Sequence, residues 1–295
     1  MSSGLINLTY AEIADRIGQQ KLFGIDALQG YLLNFCKVFL EAQASDLQKI
    51  QALGLSPSVL LYGVPNTGKT TLCYLLFQQL KKEVTNEINF YSVDVGRMLD
   101  PSLGQSSRNL EAIFDELKAV SKKGSCVFLV LDELDAFCMS RSRTQEHDAI
   151  RRAMTTLMLE LDKLHAPREN NNILIFGITN VRDLLDTAVV RRFSLKQEMQ
   201  PTLDYNSFKD FVIYLNNMVG CKIDDRGEIE NLYKLYQDRQ MTAGDIKNVY
   251  KEIYIDSVCQ KIDNQDISEK IISLFKKGFS TGEHLAKTKE ELAKS

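Results

Sequence analysis

The chain has few of the residues that build metal and disulfide sites. Its 295 residues include six cysteines and three histidines. The cysteines (Cys36, Cys73, Cys126, Cys138, Cys221 and Cys259) nowhere form a C-x-x-C pair, and the histidines are scattered. That spacing argues against a zinc site. Most of the cysteines sit inside apolar runs and read as core thiols of a reducing compartment. Basic charge is not in excess either. Lys and Arg number 36 against 39 Asp and Glu, a net charge of −3 with no long basic run. A protein built to grip duplex DNA would be expected to carry a basic face. No apolar run approaches the ~18 residues of a membrane span. Asp15 and Arg16 interrupt the first turns, so the apolar core of a signal peptide is missing. Neither an internal repeat nor a low-complexity linker is present. With 44% hydrophobic and 25% charged residues, the chain reads as a globular cytoplasmic protein of one to two domains.

Against these absences stands one dense motif. Gly63-Val64-Pro65-Asn66-Thr67-Gly68-Lys69-Thr70 reads G-x-x-x-x-G-K-T. An apolar run, Val59-Leu60-Leu61-Tyr62, precedes it, and a helical pattern beginning Thr71-Leu72-Cys73 follows. Strand, glycine loop and helix form the setting of a phosphate-binding P-loop. Its backbone N–H groups face the β- and γ-phosphates, where the positive end of the helix dipole reinforces them. Pro65, Asn66, Thr67, Gly68, Lys69, Thr70 and Thr71 are therefore the candidate nucleotide-binding residues. Lys69 reaches the phosphate oxygens, and the Thr70 hydroxyl can ligate Mg²⁺.

Asp132 and Glu133 close another unbroken apolar run, Cys126 to Leu131. In an open parallel sheet, ligands bind at the carboxyl ends of strands. Asp132 is placed to hold Mg²⁺ through water, and Glu133 to act as general base on the attacking water. An acidic pair after a strand can also be a simple helix N-cap, and the upstream P-loop favours the catalytic reading. Thr179-Asn180 ends the run Ile173 to Ile178, where the Asn180 amide can orient the same water. Arg191-Arg192-Phe193 follows a short helix, Leu184 to Val190. Paired arginines are usually a solvated surface feature, but in a ring they could reach a neighbour's γ-phosphate.

Strands expected at 59–62, 88–93, 126–131 and 173–178 alternate with helices, including 109–121 and 148–164. That order gives an α/β fold, a parallel sheet with helices on both faces. From Tyr205 onward the pattern is helical: 205–219, 227–238, 242–262 and 266–278. The expected organisation is a short amphipathic arm over 1–21, a P-loop ATPase domain over 22–200, a small helical lid over 201–280 and a polar tail over 281–295.

From Leu22 to about Glu252 the chain resembles the AAA+ ATPases that carry a second region of homology. Leu22-Phe23-Gly24-Ile25-Asp26 resembles the segment that contacts adenine, which adds Phe23 and Gly24 to the nucleotide-binding set. Leu131 to Ala136 is similar to the Walker B segment, Thr179-Asn180 to sensor 1, and Asp186 to Phe193 to the finger region. Leu161-Asp162 resembles a helix-end signature. Ala243-Gly244-Asp245 resembles the start of the lid helix and brings in Gly244. The resemblance implies ATP and Mg²⁺ as cofactors and a homo-oligomer, usually a hexamer, that remodels a protein client. Recognition would use the arm, the pore face or an adaptor. Within the family, the chain is similar to the short bacterial remodellers of HORMA-like proteins. Three departures stand beside this. The pore stretch Ser102-Leu103-Gly104 lacks the family's aromatic, although Met98 and Leu99 lie upstream. No Pro-Gly separates the finger arginines, and only about 20 residues precede the core. The missing aromatic leaves open a nucleotide-gated scaffold with little mechanical work. A DNA-associated loader, using Arg141 and Arg143, is a third reading that the acidic charge disfavours.

Overall fold

The computed structural model describes residues 4–41, 44–98, 104–137, 144–165, 172–221, 223, 226–259 and 267–277. The chain divides into two compact units. One comprises Met1–Lys21, Ala27–Gly63 and Lys69–Glu198, the other Leu22–Asp26, Val64–Gly68 and Met199–Ser295.

The first unit is built on six strands, β1 (Leu5–Leu8), β2 (Ser58–Tyr62), β3 (Ile88–Asp94), β4 (Cys126–Asp132), β5 (Ile173–Thr179) and β6 (Leu195–Glu198). They lie in the order β1-β3-β4-β5-β2-β6. Pairing is parallel from β3 through β6, while β1 runs antiparallel to β3, with Leu5 opposite Val93. Eight helices of this unit are described: α1 (Tyr10–Ile17), α2 (Asp26–Leu40), α3 (Ala44–Ala52), α4 (Lys69–Glu83), α5 (Val95–Met98), α6 (Gln105–Lys122), α7 (Thr144–His165) and α8 (Thr187–Arg192).

The alternation of side chains along β4 explains why its run is apolar throughout. Val127, Leu129 and Leu131 face a core shared with Leu110, Ile113 and Phe114 of α6 and Leu157 of α7. Phe128 points the other way. It stacks between Phe90 of β3 and Phe176 of β5, with centroids 5.5 and 4.7 Å away, and meets Phe77 of α4 at 6.1 Å. Both faces are thus covered, as parallel pairing requires.

Residues 5–17 differ from the expected arm. Leu8, Ile13 and Ile17 are buried, and the segment forms β1 and α1, joined by a capping box at Thr9. The sheet therefore gains an antiparallel edge strand. Before α8, residues Arg182–Leu184 form a separate short 3-10 turn, so the helix begins later than Leu184.

The second unit carries α9 (Tyr205–Val219), α10 (Arg226–Asp238), α11 (Ala243–Val258) and α12 (Ile267–Lys277). They close around Phe208, Tyr236, Ile246 and Phe275, all fully buried. The pore residues Ser102 and Leu103, the pair Arg141 and Arg143, Cys138 and the tail 281–295 lie outside the described residues.

Candidate functional site

Strands β4, β5 and β2 are adjacent and parallel, so their carboxyl ends share one edge. Tyr62 is paired with Thr179 across β2 and β5. Gly63, Asp132 and Asn180 leave the sheet at this edge. Lys69 and Thr70 open α4, as the strand–loop–helix pattern demands.

Lys69 is buried, and its Nζ donates to the Gly63 carbonyl at 2.8 Å. Burial lowers its pKa to about 8, although Asp132 and Asp135 pull the other way. A desolvated ammonium of this kind is poised for an anion. Thr70 Oγ1 donates to Asp132 Oδ2 at 3.0 Å. Burial raises the Asp132 pKa, opposed by the Thr70 hydroxyl, the Glu133 N–H and Lys69. One hydroxyl, one carboxylate and a phosphate are the hard-oxygen donors Mg²⁺ prefers, with water completing its shell. The donor set therefore fits that ion.

Glu133 is exposed and follows directly, its N–H donating to Asp132 Oδ1 at 2.9 Å. Its backbone has φ +58°. Partial burial, then the charges of Asp94, Asp132 and Asp135, raise its pKa, while Arg97 lowers it. The carboxylate lies against Gly96 of α5: a Cβ there would stand 3.2 Å from Glu133 Oε2 and 3.3 Å from Asp94 Oδ1. Asp94 caps α5 by accepting from the Arg97 N–H at 3.1 Å, and it pairs with Arg97 Nε at 3.1 Å.

Asn180 is held through its backbone. Asp135 Oδ1 accepts from the Asn180 N–H at 3.3 Å and from Thr179 Oγ1 at 3.2 Å. That anchoring does not consume the carboxamide. Asp94, Gly96 and Arg97 escaped a reading by motif, because they act on Glu133 from positions distant in sequence. Arg192 is bound to Asp162 with 2.9 Å contacts, and Arg191 is exposed.

Other residues anticipated for nucleotide binding, Thr71 apart, gather in the second unit. A Cβ on Gly24 (φ +69°) would meet Ser207 and Leu203 at 3.1–3.2 Å, and one on Gly68 (φ +89°) would stand 2.6 Å from Leu22. Gly244 lies against the loop itself, its absent Cβ 2.6 Å from Asn66 Cβ and 2.8 Å from Asn66 O. Thr67 Oγ1 donates to the Val64 carbonyl at 3.0 Å, tightening the loop. Pro65 is half-buried within it. Phe23 packs its ring on Phe211 and Tyr214, with centroids 5.0 and 5.5 Å away, so its side chain belongs to the core of this unit. Thr71, near the start of α4, is half-buried.

The strand ends, the loop and the paired acidic residues are those of a P-loop nucleotide-binding protein. Residues 59–201 match the family model described as "ATPase family associated with various cellular activities (AAA)", and the chain carries an AAA ATPase domain. It is similar to Cell division protein C of Sulfolobus acidocaldarius, 27% identical over 216 residues, covering 72% of this chain and 54% of that protein. It is also similar to the human Pachytene checkpoint protein 2 homolog, 25% identical over 173 residues, covering 56% of this chain and 39% of that protein. The chain thus spans about half or less of the length of these curated relatives. Among solved structures, a chain of the HORMA:CdnC:Trip13 complex of E. coli MS115-1 shares the fold. Its TM-score is 0.74 at 18% identity, covering 92% of this chain and 94% of that chain.

Proposed function

We propose that the protein hydrolyses ATP in a homo-oligomeric ring, a hexamer, and uses the energy to remodel or disassemble a protein partner in the cytoplasm. In this reading 22–200 form the ATPase domain and 201–280 the lid. The observation that carries it is the junction of a desolvated Lys69 with the Thr70–Asp132 hydrogen bond, one residue from Glu133.

The chemistry is a displacement at the γ-phosphorus of ATP. Lys69 and the loop N–H groups hold the β- and γ-phosphate oxygens and draw off charge as it develops. Thr70 and Asp132 would hold Mg²⁺, which when bound offsets phosphate charge. Glu133 takes a proton from the attacking water as the new P–O bond forms, and the bond to the bridging oxygen breaks, giving ADP and phosphate. Asn180 orients that water through its carboxamide. Desolvation, and after it the aspartates near Glu133, raise its basicity, which suits a general base.

A HORMA-like signalling protein is the client this reading favours. The fold extends over 92% of this chain to a protein solved in a complex that contains one. Glu133→Gln tests the whole reading. It should bind ATP with near-normal affinity, lose turnover by about 10²–10⁴-fold and retain its client, which mass spectrometry of the co-purified material would identify. Turnover that persists in this variant would remove Glu133 as the base. Client release that proceeds without hydrolysis would favour a nucleotide-gated scaffold instead.

A further inference from the structure

Asn180 is the first residue past the end of the ladder between β2 and β5, whose last pair is Tyr62 with Thr179. Strand pairing to β4 has already ended at Gly177. No ladder bond therefore fixes the residue whose carboxamide must keep a set place beside the phosphate. We infer that a clasp between Arg182 and Tyr62 keeps it there: Arg182 is a positioning residue that ties the turn carrying Asn180 to the strand leading into Gly63. This deepens the proposed function and rests on the water-orienting role it gives Asn180.

The sheet order puts β5 between β4 and β2, so the turn after β5 needs a tie on each flank. The β4 flank is supplied by Asp135, in the 3-10 turn Leu134–Phe137. Its Oδ1 accepts from the Asn180 N–H at 3.3 Å and from Thr179 Oγ1 at 3.2 Å. Thr179 Oγ1 also accepts from the Val181 N–H at 3.1 Å, which closes a tight turn on the threonine hydroxyl. None of these bonds reaches β2. Yet β2 leads to the phosphate-binding lysine, since Gly63, next to Tyr62, accepts from Lys69 Nζ at 2.8 Å.

Arg182 closes the β2 flank. Its Nη1 donates to Tyr62 Oη at 3.0 Å, and its Cζ lies 4.7 Å from the centroid of the Tyr62 ring. One planar guanidinium thus meets both the face and the hydroxyl of a single side chain, which fixes its direction better than either contact alone. Among the described residues no carboxylate forms an ion pair with Arg182. Burial, and after it the charge of Arg182, push the Lys196 pKa down, so the neighbour on β6 is another cation rather than an acid. Arg182 is exposed, and contacts of exposed charged side chains add little to folding stability. Its effect is geometric instead. Arg182 opens the 3-10 turn Arg182–Leu184, so holding its side chain on Tyr62 sets the path of the chain two residues beyond Asn180.

The test measures steady-state hydrolysis of Mg-ATP by the full chain. Arg182→Ala should lower kcat by about 10- to 10²-fold, the cost of a small misplacement at the reacting centre. KM and the affinity for a non-hydrolysable ATP analogue should stay within about twofold, and the melting temperature within about 2 °C. Arg182→Lys keeps a charge over the ring without the fork and should recover part of the loss. Tyr62→Phe keeps the ring and removes only the hydroxyl, so its kcat should fall between those of the unaltered protein and Arg182→Ala. Asn180→Ala should lose turnover by itself, and adding Arg182→Ala to it should cost nothing further, because the clasp acts through Asn180. Full kcat in Arg182→Ala overturns the clasp, and so does a loss that is equally large in the Asn180→Ala background; either result leaves the role of Asn180 standing. Full kcat in Asn180→Ala removes the water-orienting role itself, and the clasp with it.

Discussion

Glu133 is held in a left-handed backbone conformation that side-chain-bearing residues rarely adopt. The conformation costs on the order of 1–3 kcal/mol, and it turns the carboxylate toward Gly96. Gly96 has no unusual backbone angle of its own, so alanine there introduces no backbone strain and suits α5 better than glycine. Its methyl group would press on Glu133 Oε2, 3.2 Å away. Gly96→Ala should therefore leave the melting temperature equal or higher while lowering kcat about three- to tenfold, since small displacements of a base are costly. A lower melting temperature with kcat intact would place the contact in folding alone. Lys69 provides the second residue-level expectation. A cation whose pKa falls on folding destabilises the free protein while it is charged. That penalty is present below about 8 and lifts as pH rises from there toward 10.5. It amounts to about 3 kcal/mol. Pairing with a triphosphate reverses the shift. Affinity for an ATP analogue should thus be level below pH 8 and weaken above it. Calorimetry in buffers of different ionisation heat should show proton uptake near pH 9 and none near pH 6.5, and Lys69→Met should abolish the uptake.

Helix caps connect local sequence to the nucleotide loop. Thr242 and Asp245 form a buried capping box at the start of α11: the Thr242 N–H and hydroxyl each donate to Asp245 Oδ2 at 2.8 Å, and the Asp245 N–H donates to Thr242 Oγ1 at 3.1 Å. Gly244, inside that first turn, packs on Asn66. Thr9 and Glu12 form the equivalent box on α1. Removing either threonine should cost about 1–2 kcal/mol. Thr242→Ala should also weaken nucleotide binding, whereas Thr9→Ala, matched in stability loss, should not. Equal effects on binding would show that Gly244 does not seat the loop. The same elements show what the sequence makes legible. Strands β2, β4 and β5 announce themselves because burial on both faces forces unbroken apolar runs. β1 (Leu-Ile-Asn-Leu) and β6 (Leu-Lys-Gln-Glu) are four residues long, and only their pairing with β3 and β2 makes them strands. The P-loop is legible since its geometry is set by eight consecutive residues. Asp94 is silent in sequence, and so are the partners of Asp135 and Asp162, because they lie on other elements, Asp162 meeting Arg192 thirty residues on.

At the scale of the molecule, the proposed ring ties turnover to assembly. Lys69, Asp132 and Glu133 sit at the carboxyl edge of the sheet, and α8 ends beside the amino end of β2. The proposed ring requires head-to-tail contacts, which close when the rotation allows. Catalysis then depends on concentration in a way nucleotide binding does not. Turnover per chain should fall toward zero on dilution, with a midpoint matching the loss of assemblies in mass photometry. Affinity for an ATP analogue should shift little over the same range. The Glu133→Gln protein should assemble with the same midpoint yet stay inactive, separating assembly from hydrolysis. Constant turnover per chain in a population measured as monomeric would mean that each copy completes its own site, and the ring reading would fail.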